Sequence, residues 1–223
     1  MKKLAIFTTS ALVRFSFIGD ISSVNKALKR MGYEILPYDF DAKSIGKDIF
    51  KIFNNFCSAA GANNAKKRTE LKSLFFQNIL AQSVPGIQQT LISLKKAGVK
   101  IALINHEYML EEKLRQVNID FKDFHFIDQS DVKKGTAAVL KKCLSWADQF
   151  DIERDEILFI GTKAHEYITA LESKPIIDFL GASCGFKDDH FKDMGLPNER
   201  ITSFGELSEK ILNIACFEKV EMV

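Results

Sequence analysis

Apolar positions along the chain fall into two rhythms. Short runs that are apolar on both faces occur at Leu4 to Phe7, Lys100 to Ile104, Phe124 to Ile127, Glu156 to Ile160 and Lys174 to Phe179. Runs of this length predict parallel strands in a sheet covered by helices on both sides. Helical stripes lie between them. Ile87, Leu91 and Leu94 share one face of a helix over Ile87 to Lys96, with Gly98 as its stop. Val139, Leu140, Cys143, Leu144 and Ala147 share the face of a second, over Thr136 to Phe150. From residue 84 onward, strand and helix alternate, which predicts βαβ units with right-handed crossovers and an α/β core.

Residues 15 to 82 break that rhythm. Val24, Leu28 and Met31 form one helical stripe, ended by Gly32. Ile45, Ile49, Ile52, Phe53 and Phe56 form a second, and Leu71, Leu74, Phe75 and Ile79 a third. Pro85-Gly86 closes the stretch. An all-helical insert after the first strand of a doubly wound sheet predicts a small cap domain over residues 15–83. The core is then residues 1–14 and 84–223. The position of the insert bears on function, because ligands of open α/β sheets bind outside the carboxyl ends of the strands.

Charge narrows the partners. Lys+Arg number 31 against 29 Asp+Glu in 223 residues, a formal net charge of +2. That balance predicts neither nucleic acid nor an anionic membrane as the main partner. The pairs Lys95-Lys96, Lys133-Lys134 and Lys141-Lys142 sit at helical spacings among apolar residues and read as solvated faces. Cys57, Cys143, Cys184 and Cys216 are scattered, with no CxxC pair and no His at ligand spacing. The expectation is free thiols in a reducing, cytoplasmic setting. Met1-Lys2-Lys3 before Leu4-Ala5-Ile6-Phe7 resembles a leader only superficially, since Thr8-Thr9-Ser10 and then Arg14 interrupt it. No segment approaches the ~18 uninterrupted apolar residues of a membrane-spanning helix.

The chain contains no GxGxxG after the first strand, no GxxxxGK[ST] and no HExxH. Polar residues instead gather at four strand ends: Thr8-Thr9-Ser10, Asn105-His106-Glu107, Asp128 to Lys134, and Gly161-Thr162-Lys163.

Together with the helical insert, several stretches resemble the haloacid dehalogenase superfamily, in particular its phosphoglycolate-phosphatase-like branch. Ser23 to Tyr33 is similar to the first cap helix, and Ser44-Ile45-Gly46-Lys47 to the Ile-Gly turn of the cap. Val84-Pro85-Gly86-Ile87 through Leu94-Lys95-Lys96-Ala97-Gly98 resembles the segment that returns to the core. Ile157 to Gly161 resembles the strand carrying the fourth motif, and Gly185-Phe186, Gly195 and Phe204-Gly205-Glu206-Leu207 the C-terminal run. The resemblance implies a Rossmann-like parallel sheet with a helical cap inserted after strand 1.

It also implies where chemistry belongs. The family places an aspartate nucleophile after strand 1, and two residues on a second aspartate that serves as acid and base. The matching positions here hold Thr8 and Ser10, with Ala11 and Leu12 in place of Gly-Thr. Asn105 takes the phosphate-binding place of the second motif, with His106 beside it. Lys133 or Lys134 fits the lysine of the third. The fourth motif, ordinarily Gly-Asp with a further acid, reads Gly161-Thr162 with Glu166 four residues on. Magnesium favours oxygen ligands that include carboxylates, so replacing acids at Thr8 and Thr162 predicts poor magnesium affinity. No cofactor is expected, and Mg2+ only if hydrolysis survives. The resulting expectation is a pseudophosphatase that binds a phosphorylated small molecule, an anion or a protein partner. The alternatives are a divergent phosphomonoester hydrolase recruiting Glu107, Glu166 or Asp20, and an interaction scaffold or homodimer with a vestigial crevice.

Overall fold

The computed structural model describes residues 1–14, 17–37, 49–77, 81–104, 110–128, 136–183 and 189–217. In chain order the strands are β1 (Leu4–Thr8), β2 (Val13–Arg14), β3 (Gln82–Ser83), β4 (Lys100–Ile104), β5 (Phe126–Asp128), β6 (Ile157–Gly161), β7 (Asp178–Ser183) and β8 (Ile201–Ser203). The α-helices are α1 (Thr9–Leu12), α2 (Phe17–Arg30), α3 (Ile49–Ala59), α4 (Ala65–Gln77), α5 (Ile87–Lys96), α6 (Leu110–Gln116), α7 (Thr136–Asp148), α8 (Ala164–Glu172), α9 (Asp189–Asp193) and α10 (Leu207–Leu212).

Six strands form one sheet in the order β5-β4-β1-β6-β7-β8, with every neighbouring pair parallel. From β1 the chain order runs through β4 to β5 on one side and from β6 to β8 on the other. The strand order therefore reverses beside β1, the arrangement that opens a crevice at the carboxyl ends of an α/β sheet. All five residues of β1 are buried, as are all five of β6. This explains their unbroken apolar runs.

By its contacts the chain divides into two compact units, Met1–Arg14 with Gln82–Val223, and Phe15–Ala81. In the first, Leu4, Ile6, Ile104, Val139, Leu140, Cys143, Phe159 and Phe179 belong to one apolar core. The second is built on α2, α3 and α4, and its core joins Val24 and Leu28, Phe53 and Phe56, and Leu71 and Phe75. Each of the three sequence stripes thus supplies one wall. Met31 and Leu74 pack against that core, while Ile45 and Ile79 lie outside the described residues. Among the described residues between 20 and 80 there is no strand. Gln82 and Ser83 pair antiparallel with Val13 and Arg14 and belong to the sheet-containing unit, two residues ahead of the boundary expected from the sequence. No described helix is long and apolar enough to cross a membrane. Cys57, Cys143 and Cys216 are free thiols, and burial raises the thiol of Cys57 to about 11.

Two strands depart from the sequence pattern. The run at Lys174 to Phe179 predicts a strand, but β7 starts only at Asp178 and continues to Ser183. Ahead of it the Ser173 hydroxyl accepts from the Ile177 N–H at 3.1 Å, so the chain is still closing the turn after α8. Asp178 then pairs with Lys2 and with Arg200, each at 3.0 Å. Strand β7 passes through Gly181, where an added Cβ would lie 2.9 Å from the Phe191 ring. That position is kept small by a side chain ten residues away, so the strand lacks an apolar signature there. The three-residue β8 pairs with the end of β7 and is too short to carry a pattern.

An edge contact gives the first testable consequence. At the start of β5 the His125 N–H donates to the Ile101 carbonyl at 2.7 Å, and His125 Nδ1 accepts from the Ile101 N–H at 3.0 Å. A ring nitrogen that accepts carries no proton. Partial burial, then the charges of Lys100 and Lys95, lower the pKa of His125 below its ordinary 6.5. The unfolded chain therefore takes up the proton first as pH falls. Stability from this group is complete above pH ~6.5 and is lost as pH drops through the lower folded value. The urea midpoint is expected to fall more between pH 7.5 and 5.5 in wild type than in His125→Gln; equal slopes would refute the assignment.

Candidate functional site

The site grows from the ends of two adjacent central strands. Phe7 of β1 lies opposite Ile160 of β6. Thr8 and Gly161 therefore end the pair side by side, and Thr8 faces Ile104 of β4 on its other flank. Helix α1 begins at once after Thr8, and its first residue donates through Thr9 Oγ1 to the Ile104 carbonyl at 3.4 Å. This tight turn brings Ser10 back over the strand end. Its hydroxyl lies 3.2 Å from Thr8 Oγ1 and 2.6 Å from Thr162 Oγ1. Thr8, Ser10 and Thr162 thus form a continuous chain of hydroxyls across β1 and β6. Thr8 is 1% exposed, whereas Ser10 and Thr162 are partly open to solvent.

Glu166 anchors the other half. It stands in the first turn of α8, and its Oε2 accepts from the backbone N–H of Thr162 at 2.7 Å and of Lys163 at 2.9 Å. The carboxylate is 0% exposed, and it satisfies amides that a helix start otherwise leaves open. Its negative charge also opposes the positive end of the helix dipole. Gly161 makes this approach possible: a Cβ there would lie 2.6 Å from Glu166 Oε2 and 2.9 Å from the Phe179 ring. The glycine at 161 is therefore explained by close packing as well as by the motif it resembles.

The remaining sequence candidates divide clearly. Thr8, Ser10, Thr162 and Glu166 are brought together. Asn105, His106, Glu107, Lys133 and Lys134 lie outside the described residues. Asp20 falls within α2, in the helical unit. Asp128, at the end of β5, is buried with Lys142 Nζ at 3.5 Å. The hydroxyl chain itself was not legible as a unit: three short polar side chains at two strand ends are individually ordinary, and only the parallel pairing of β1 with β6 joins them.

These residues do not fit a magnesium site. The described residues contain no group of three or more His, Cys, Asp or Glu placed to hold a metal ion. Thr8, Ser10 and Thr162 offer neutral hydroxyl oxygens already bonded to one another, and the Glu166 Oε2 faces two amide N–H groups. A hard dication that dehydrates reluctantly is usually held by one or two carboxylates, and none of these three hydroxyls supplies one.

A parallel sheet whose central strand ends carry the candidate residues, with a helical unit inserted after the first strand, defines the haloacid dehalogenase class of fold. The family model for haloacid dehalogenase-like hydrolases matches residues 19–175, and the chain belongs to that family. Thr8 and Ser10 precede the matched span. No protein of curated function matches the chain. Among solved structures, a protein assigned as a β-phosphoglucomutase from Thermotoga maritima is similar at 17% identity and TM-score 0.73, covering 96% of this chain and 100% of its own. One assigned as a phosphoglycolate phosphatase from Haemophilus somnus 129PT is similar at 18% identity and TM-score 0.62, covering 93% and 97%. A third, β-phosphoglucomutase from Clostridium difficile, is similar at 14% identity and TM-score 0.53, covering 96% and 99%. At these identities the likeness is one of fold.

Proposed function

We propose that this protein is a pseudophosphatase of the haloacid dehalogenase family, which binds a phosphorylated small molecule or related anion without hydrolysing it. The observation that carries this reading is the hydroxyl chain of Thr8, Ser10 and Thr162, at the strand ends to which the sequence resemblance assigns the family's carboxylates. Attack on phosphorus needs a nucleophile that is ionised or has a base beside it. The hydroxyl of Thr8 has the hydroxyl of Ser10 as its neighbour, and the Ser10 hydroxyl does not titrate near neutral pH as an acid–base catalyst must. Hydroxyls remain good hydrogen-bond donors to phosphate oxygens, so binding outlasts turnover. Balanced charge supports a small anionic ligand over nucleic acid or a membrane surface, and the expected setting is cytoplasmic.

A second reading, a divergent phosphomonoesterase, is favoured by membership of a hydrolase family and by the fold shared with phosphatase-like proteins. It requires a carboxylate from elsewhere, such as Glu107 or Asp20. The two readings separate in one experiment. With magnesium present, p-nitrophenyl phosphate, phosphoglycolate and a wider phosphoester panel are expected to be hydrolysed at background rate, while a member of the panel raises the melting temperature. Turnover abolished by Lys133→Ala with Lys134→Ala would establish the phosphomonoesterase instead. If no phosphoester is hydrolysed or raises the melting temperature, both readings fail.

A further inference from the structure

Resting on that binding reading, we propose that the site takes up a phosphate group without magnesium, through direct donation from Ser10 and Thr162. In the family arrangement a carboxylate and a phosphate, both anionic, face each other, and a cation between them removes their repulsion. Here Thr8, Ser10 and Thr162 are neutral, so none of the three sets a charge against the phosphate that a metal would have to offset. Three hydroxyl protons are present on Thr8, Ser10 and Thr162, and the two links of the chain use two of them. The 2.6 Å link joins the two partly exposed members, Ser10 and Thr162. Rotation of those hydroxyls exchanges their mutual bond for two donations to an incoming anion. The buried Thr8 hydroxyl remains behind Ser10 as a positioning residue.

Glu166 supports the same assignment from the opposite side. Its Oε2 accepts from the Thr162 and Lys163 amides, which fixes the loop that presents the Thr162 hydroxyl. The Thr162 and Lys163 amides ahead of α8 are thereby engaged, and the proposed donors are the side-chain hydroxyls. Such a site discriminates by donor geometry, and free magnesium adds nothing to it.

The test is calorimetric titration of the full chain with inorganic phosphate, once in EDTA and once in excess magnesium. Equal affinity in the two buffers, to within about twofold, is expected. Ser10→Ala and Thr162→Val are each expected to weaken binding about tenfold, the weight of one hydrogen bond to a charged group. Thr162→Ser keeps the hydroxyl and is expected to retain binding, which separates lost donation from lost folding. Binding seen only with magnesium would overturn metal independence and leave the binding function standing. Binding in EDTA that survives both hydroxyl deletions would place the anion elsewhere and also overturn the proposal. Absence of binding in either buffer would remove the proposal, and for free phosphate the reading beneath it.

Discussion

Phe179→Ala is expected to cost about 3–5 kcal/mol of stability, the range for emptying a large aromatic site in a packed core. Phe179 is 3% exposed and touches three other rings: Phe159 at 5.4 Å and 86°, Tyr167 at 5.4 Å, and Phe191 at 5.8 Å between centroids. It also lies against Gly161, at the root of the Thr162 loop. The cavity would therefore loosen the loop on which Thr162 and Glu166 depend. The chain has a single tryptophan, Trp146, which packs against Phe126 and Phe150 in the same unit. Urea unfolding followed by its fluorescence reads the loss directly. A change under about 1 kcal/mol would mean that the ring cluster is not the keystone this packing implies.

The second large effect concerns metal dependence. Thr8→Asp, Ser10→Asp and Thr162→Asp combined would replace a neutral hydroxyl chain, with links of 3.2 and 2.6 Å, by three carboxylates. Like charges at that spacing disfavour one another's ionisation, and the position of Thr8 is 1% exposed. Without metal the variant is expected to lose about 3–5 kcal/mol, as when a buried charge is left uncompensated. Magnesium binds only the folded site, and at a hundred times its dissociation constant it restores about 2.7 kcal/mol. For a chain of this size that is a rise of about 5–10 °C in melting temperature. Wild type is expected to melt at the same temperature with magnesium or EDTA. If the folded variant also ignores magnesium, these three positions are not the family's metal positions. A triple variant that binds magnesium beside an indifferent wild type would instead show that side-chain charge alone separates the two behaviours.

The limits of sequence reading lie at particular residues. The central strands β1, β4 and β6 were legible because burial on both faces demands an unbroken apolar run. The three helical stripes were legible because one buried face repeats every 3.6 residues. Strand β7 was misplaced, since Ser173 holds the turn after α8 to Ile177 and Phe191 forbids a side chain at Gly181. That Glu166 caps its own helix through Oε2 was not legible, because the amides it accepts from are fixed by the turn between β6 and α8.

By itself, then, the amino-acid sequence determined the class of fold, the helical insert after the first strand, and the absence of carboxylates at Thr8, Ser10 and Thr162. These are local properties: periodicity follows from burial of a face, and side-chain chemistry from residue identity. Only the tertiary structure decided that Ser10 and Thr162, 152 positions apart in the chain, share a 2.6 Å hydrogen bond. The same holds for the Glu166 Oε2, which accepts from two backbone amides. Both depend on the parallel register of β1 against β6 and on the start of α8. Hydrogen bonding reaches only a few ångströms, so which polar groups meet is settled by strand pairing and packing across the whole core.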